Sequence, residues 1–296
     1  MIFEARRRNV FSRHSWENSF YIQRISQLAG ATVIEVLAPG PLDTIISGAR
    51  EKAALAERVA FISSALSTKR TRTQQILAIT PRRRFTFDLA ISANFRYLRS
   101  SSRRQPAARG IPVDATFVKR FSRCGFPALL GLASGRSETA VRVKQAIGWL
   151  SESRQEPDLR SALVKTSIAL ENLLVRGDSE GLRGPLSERT AFLLAGDAAT
   201  RRRLARAVAR FYNARSEVVH GRQRKTAMIS SSMLEGVDRL VLLLILTMGN
   251  NPTLWTSFED VLSWIDDQKW GATVQRIRRP FPGSHLTRAL QLTERT

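Results

Sequence analysis

The chain holds one cysteine, Cys124, so an internal disulfide is excluded and the reading places the protein in a reducing compartment. Histidine is almost as scarce. His14, His220 and His285 lie far from one another and from Cys124 and lack metal-ligand spacing, so no metal site is expected. Cys124 has no histidine near it in sequence and reads as inert. No Walker loop, Gly-x-Gly-x-x-Gly, His-Glu-x-x-His or nucleophile elbow occurs, and no cofactor is expected. Long apolar runs are missing too. The longest, Leu240 to Met248 with Thr247 interrupting, is too short to span a bilayer and reads as a buried helix, with no membrane partner. Met1 to Asn18 contains no apolar run of signal-peptide length, and a cytoplasmic protein is expected.

Negative charge is in short supply: 25 acidic residues face 47 basic ones, for a formal net charge of +22. The lysines are only Lys52, Lys69, Lys119, Lys144, Lys165, Lys225 and Lys269; the remaining basic residues are arginine. Such a surplus favours an anionic partner, nucleic acid first, although an arginine-rich source genome would also produce the bias. Residues 1–135 carry 22 basic and 8 acidic side chains, residues 136–271 carry 20 and 16, and residues 272–296 carry 5 and 1. The electrostatic footprint is therefore expected mainly in the first part and the tail.

The patterning predicts an α+β chain that is mainly α. Residues 1–135 read as a basic mixed α/β domain of unassigned family. Within it Ala31–Leu37, Gln75–Ile79 and Phe85–Ala93 are β-branched or alternating and predict strands, Gly48–Leu66 predicts a helix, and Ser100–Pro112 reads as an exposed basic loop. Residues 136–271 change to helical periodicity, with helices expected over Glu138–Ser153, Pro157–Arg176, Glu188–Ala195 with Ser187 as N-cap, Ala198–His220, Ser230–Met248 and Trp255–Trp270. Short connections make this an antiparallel helical bundle. Gly177–Pro185 reads as a loop, and residues 272–296 as a basic, flexible tail.

The end of the Ala198–His220 helix places Arg215 and His220 five residues apart, within Tyr212-Asn213-Ala214-Arg215-Ser216-Glu217-Val218-Val219-His220-Gly221. A permanently charged fork suits a phosphate, and an imidazole suits proton transfer near pH 7. Two earlier pieces precede it in order, Ala169-Leu170-Glu171-Asn172-Leu173-Leu174 and Leu186-Ser187-Glu188-Arg189-Thr190-Ala191-Phe192-Leu193-Leu194. Together the three resemble the HEPN superfamily, specifically its ApeA-like branch, over residues 138–249. The last piece matches the superfamily's Arg-x4-6-His motif, with a polar residue, Ser216, directly after the arginine.

The resemblance implies a helical bundle that dimerises and a metal-independent endoribonuclease of a defence or toxin system, with an antitoxin or regulatory partner. It also implies an alternative, a non-catalytic RNA-binding or dimerisation module. On the catalytic reading Arg215, Ser216 and His220 form the site, with Glu171 and Arg189 as supporting residues. An offset of five turns about 500° on a helix and leaves the two positions roughly 140° apart, so the arginine must swing towards the histidine or the last turn must tighten. One pair per chain, with an acid and a base both needed, fits a composite site across a homodimer. The nearly all-apolar final helix of the bundle also predicts a partner surface.

Plainer roles are open for each residue. His220 suits a helix C-cap, where the dipole favours a cation. Arg215 is within pairing range of Glu171 or Glu217, Arg189 reads as a structural or solvated arginine, and Tyr212 as core. The clusters Arg82-Arg83-Arg84 and Arg201-Arg202-Arg203 are weak RNA-binding candidates that also read as solvated faces.

Overall fold

The computed structural model describes residues 2–3, 33–34, 42–67, 85–91, 98–104, 115–132, 135–176, 181–220 and 230–294. The chain divides into two compact units, residues 1–56 with 76–113, and residues 57–75 with 114–296. The first contains two antiparallel strand pairs, β1 (Ile2–Phe3) with β2 (Val33–Ile34), and β3 (Phe85–Ile91) with β4 (Leu98–Arg104). Helix α1 (Leu42–Ser67) extends across the division of the two residue sets. β4 overlaps the segment read from sequence as a basic loop. Its register pairs Phe85 with Arg104 and Ile91 with Leu98. The Arg-Ser-Ser-Ser-Arg-Arg run shows no alternation of its own, and backbone pairing to a strand with strong β propensity defines it as a strand. The expected strand at Gln75–Ile79 and the cluster Arg82-Arg83-Arg84 lie outside the described residues.

The second unit is helical. It comprises α2 (Ala115–Arg123), α3 (Phe126–Gly131), α4 (Glu138–Gln155), α5 (Leu159–Leu174), α6 (Arg183–Leu194), α7 (Ala198–Val219), α8 (Ser231–Gly249), α9 (Phe258–Lys269) and α10 (Gly283–Thr293), together with the second part of α1. Side-chain caps begin most of them. Ser137, Asp158, Asp197 and Ser230 each accept from the backbone N–H three residues on, and Ser257 with Asp260 forms a capping box at α9. Helices α4 and α5 run antiparallel: Ser153 donates to the Ala162 carbonyl at one end, and Arg142 donates to the Asn172 and Val175 carbonyls at the other. Helices α6 and α7 form a second antiparallel pair.

Three sequence expectations change here. Helix α6 begins at Arg183, so Ser187 lies inside it and donates its hydroxyl to the Arg183 carbonyl at 2.7 Å instead of capping. Pro185 falls in the first turn, where its missing N–H costs nothing. Helices α2 and α3 are not among the helices expected from sequence, although α2 is strongly amphipathic, with Phe117 and Phe121 on one face. Residues 272–296 contain α10, whose Ala289, Leu290, Leu292 and Thr293 are buried and which packs along α8. Four apolar and small residues on one face of a short helix are easily lost in a segment dominated by arginine and proline.

Helix α8 is the axis of the core. From Met233 to Gly249 every residue is buried, against α3, α4, α5, α6, α7 and α10. Its apolar circumference is therefore covered within one chain, which removes the reason for expecting a partner surface there. The α8–α10 seam is close: a Cβ on Gly236 would lie 2.6 Å from Thr293 Cγ2 and 2.9 Å from the Ala289 carbonyl oxygen.

The α8 core is not wholly apolar. Arg154 donates to Glu235 at 3.2 Å and to Asp238 at 3.4 Å, Arg239 donates to Glu235 at 3.1 Å, and Thr166 donates to Asp238 at 2.7 Å. All four charged side chains are buried, and two positive and two negative charges balance. Burying an ion is costly unless it is paired and hydrogen-bonded; this network pairs each charge but leaves Arg154 Nε and Nη2 without a hydrogen-bond partner.

Candidate functional site

The candidate residues gather where α5, α6 and α7 end or begin. The buried face of α7 is Leu204, Ala207, Val208, Phe211 and Ala214. Steps of three and four from Leu204 through Val208 and Phe211 lead to Arg215, which occupies the margin of that stripe. Its side chain therefore enters the seam with α5 and meets Glu171, Nη2 to Oε1, at 3.6 Å. Arg215 and Glu171 are 23% and 20% exposed, so the pair is sheltered yet reachable from solvent. The Arg215 guanidinium also stands 5.4 Å from the Tyr212 ring centre, within range of a cation–π contact.

The pairing is incomplete. Arg215 Nε and Glu171 Oε1 are buried without a hydrogen-bond partner. Burial pushes the Glu171 carboxyl up, while Arg215 and a hydrogen bond with Tyr212 pull it down. Burial also raises the Tyr212 phenol, and the neighbouring Glu171 charge adds to the rise. The site is thus a cation, an acid held above its ordinary range and a phenol in mutual contact.

His220 is reached at the end of the same helix. Its N–H donates to the Ser216 carbonyl at 3.0 Å, an α-type bond, so the last turn does not tighten. The chain leaves the helix at His220, whose φ and ψ are −89° and 6°. His220 is exposed, as is Val219 at 49%. Ser216 is half-buried between Arg215 and the helix end. Among the described residues no hydrogen bond or ion pair joins His220 to Arg215 or to the Ser216 hydroxyl. The geometry thus brings Arg215, Glu171 and Tyr212 together and sets His220 one and a half turns further on, at the open end. Gly221 lies outside the described residues.

Arg189 is placed elsewhere. It donates to the Leu174 carbonyl and its guanidinium stands 5.6 Å from the Phe258 ring centre, with Arg142 at 4.2 Å from the same ring. Burial lowers its pKa, most of all among the causes acting on it. Two arginines thus tie the last carbonyls of α5 to α9, a structural joint in which the helix C-terminus accepts from cations. Arg201 donates to the Ala195 carbonyl and to Gln268 and stacks 4.2 Å from the Phe192 ring centre. Arg203 grips Glu294 with two bonds of 3.0 and 2.9 Å. Of that cluster Arg202 alone has an exposed side chain without a partner among the described residues.

Two residues beside the site carried no signal in sequence. Arg183, in the first turn of α6, donates to Asn213 Oδ1 at 3.2 Å and adds a second exposed cation at this end of the bundle. Tyr212, read as core, faces Glu171 instead. A single arginine in a loop-like stretch has nothing to distinguish it, and an aromatic residue on a helix looks the same whether it packs or hydrogen-bonds. Among the described residues no group of three or more His, Cys, Asp or Glu side chains could hold a metal ion, and no helix is long and apolar enough to cross a membrane.

Comparison with family models, with curated proteins and with solved structures finds no match to this chain.

Proposed function

We propose that the helical unit is a metal-independent endoribonuclease of HEPN type, acting in a defence or toxin system. The observation that carries the reading is Arg215: a cation led into a sheltered seam, held by Glu171, with an unbonded Nε and with His220 at the open end of the same helix. In this mechanism the RNA 2′-hydroxyl attacks the adjacent phosphorus while the bond to the 5′-oxygen breaks. His220 transfers a proton, a role worth typically about 10²–10⁴ in rate. Arg215 turns to the phosphate and stabilises its growing charge, a contribution of roughly 3–4 kcal/mol. The second proton transfer falls to His220 of another chain, so a two-fold homodimer completes the site.

A second reading is favoured by the same ion pair. If Arg215 serves Glu171 as a structural tie, the unit is a non-catalytic RNA-binding or dimerisation module.

The test is cleavage of total RNA by purified protein in the presence of EDTA. Wild type is expected to leave 2′,3′-cyclic phosphate ends, and Arg215→Ala and His220→Ala are each expected to lower the rate by at least about 10² with an unchanged circular dichroism spectrum. Mixing the two variants is not expected to restore cleavage, since a site that uses His220 of both chains is then left with a single histidine. Cleavage unaffected by either alanine removes the assignment, and RNA binding without cleavage under any condition favours the module.

A further inference from the structure

A concave surface lies near the opposite end of α6 from the candidate site. It is a pocket of about 680 Å³ lined by Lys119, Arg120 and Arg123 of α2 and by Arg279, Phe281 and His285 near α10. Among the described residues no carboxylate lines it. Lys119, Arg120 and Arg123 make no ion pair or side-chain hydrogen bond with any described residue, in a unit where the other arginines named above are mostly committed to carbonyls or carboxylates. Like charges crowded without partners repel one another, and an anion relieves that repulsion.

The walls of the pocket are held in place. At the C-terminal end of α8, Asn250 Nδ2 donates to the Gly125 carbonyl at 3.0 Å, which fixes the turn after α2. Asn251 Nδ2 donates to the Arg278 carbonyl at 2.9 Å, and its Oδ1 accepts from the Arg278 N–H at 2.9 Å, which fixes the opposite wall. Gly125 has φ +75°, and a Cβ there would meet Pro280 Cβ at 2.7 Å, so the two walls touch at their base. Arg279 is oriented by two bonds, to the Leu193 carbonyl at 2.8 Å and the Phe192 carbonyl at 3.2 Å. Those carbonyls lie at the C-terminal end of α6, whereas Arg183 and the candidate site lie at its N-terminal end, about 15 Å away along the axis. The pocket is therefore a separate, preformed site. Its dimensions suit a small ligand.

We propose that this pocket binds the phosphate chain of a nucleotide, free or at the 5′ end of an RNA. Three cations without a partner among the described residues on one wall, and an oriented arginine on the other, suit several phosphates in series, which a single phosphate would not fill. Phe281, between Pro280 and Pro282 and half-exposed, offers a face on which a base stacks. His285 supports the same reading: burial first, then the charges of Arg239 and Arg120, hold its imidazole below the ordinary range, so the pocket wall already carries a positive potential. The proposal stands without the ribonuclease reading, because it uses none of the residues assigned to cleavage.

The test is calorimetric titration of the full chain at physiological salt. The probes are ATP, AMP, and one RNA oligonucleotide prepared with a 5′-triphosphate and with a 5′-hydroxyl. ATP or the triphosphorylated RNA is expected to bind, at least about tenfold more tightly than AMP or the 5′-hydroxyl RNA respectively, since each charge-assisted bond lost costs at least that factor. The Arg120→Ala/Arg123→Ala pair is expected to weaken that binding by about tenfold or more, while Arg160→Ala, an exposed arginine on α5, leaves it unchanged. Binding of ATP alone identifies a free nucleotide; binding of triphosphorylated RNA alone identifies an RNA end. The proposal is overturned if neither probe binds, if the double variant binds as wild type does, or if 5′-hydroxyl RNA binds equally and suffers equally from the double variant, which would make the pocket part of a general RNA groove. RNA cleavage is not a readout here, so failure of this proposal and failure of the ribonuclease reading are scored separately.

Discussion

Arg154 is 3% exposed, and its Nε and Nη2 have no hydrogen-bond partner, so its place in the core depends on Glu235 and Asp238. Removing the cation leaves two carboxylates buried against one remaining arginine. Arg154→Met keeps the volume and removes the charge, and is expected to lose about 3–5 kcal/mol in urea denaturation. Arg215 and Glu171 make the contrast. Their 3.6 Å pair is partly exposed, and Arg215→Ala is expected to cost no more than about 1 kcal/mol. That difference is what allows the cleavage test to separate chemistry from folding. Arg215 and His220 were visible in sequence because both residue types are chemically distinctive and close together. Glu171 was visible only through the resemblance. Its contact with Tyr212 and Arg215 depends on how α5 crosses α7, which no local pattern reports.

At the scale of elements, the contact between α8 and α10 is the feature that sequence periodicity did not show. A glycine inside a helix normally costs about 1 kcal/mol relative to alanine. Gly236 reverses that rule, because its missing Cβ is what lets α10 lie against α8 with Thr293 and Ala289 in contact. Gly236→Ala is expected to destabilise the protein by about 1–3 kcal/mol through overpacking. Gly131, with open space around the position of a Cβ, is the control: Gly131→Ala is expected to be neutral or slightly stabilising. Thermal denaturation of both variants checks the pair. If Gly236→Ala is neutral, α10 does not seat on α8 as described.

For the whole molecule, pH is the informative variable. Glu138, Glu156, Asp158, Asp197, Asp260 and Glu294 all have carboxyls held below their ordinary range, the first mainly by the Phe258 N–H, the next four mainly by hydrogen bonds from Lys165, Ser161, the Thr200 N–H and the Ser257 N–H, and the last by Arg203. A depressed folded-state pKa means that the unfolded chain binds protons first. The stabilisation is present above the unfolded value and is lost as pH falls through the folded one, in a window below about pH 4. Glu57 and Glu171 act with the opposite sign, since burial raises both carboxyls and protonation favours the folded state. Six groups oppose two, so the melting temperature is expected to fall between pH 6 and pH 3. Asp260→Asn should lower it at pH 6 and reduce the difference between the two values. Calorimetric scans at both pH values test this.

What the sequence determined is local. Helix periodicity, N-caps and the apolar stripe of α7 are written within a few residues of one another, so α4, α5, α7, α8 and α9 were located to within a few residues of their ends. The spacing of Arg215 and His220 is local in the same way. The tertiary structure decided everything that depends on residues distant in the chain. It covered α8 with a segment read as a tail and built a balanced ionic network into a helix read as apolar. It also turned Arg189 to a structural joint and assembled a basic pocket from α2 and residues more than 150 positions later. The physical reason is that burial and charge pairing are properties of surfaces in contact, and which surfaces meet is set by the packing of the whole bundle.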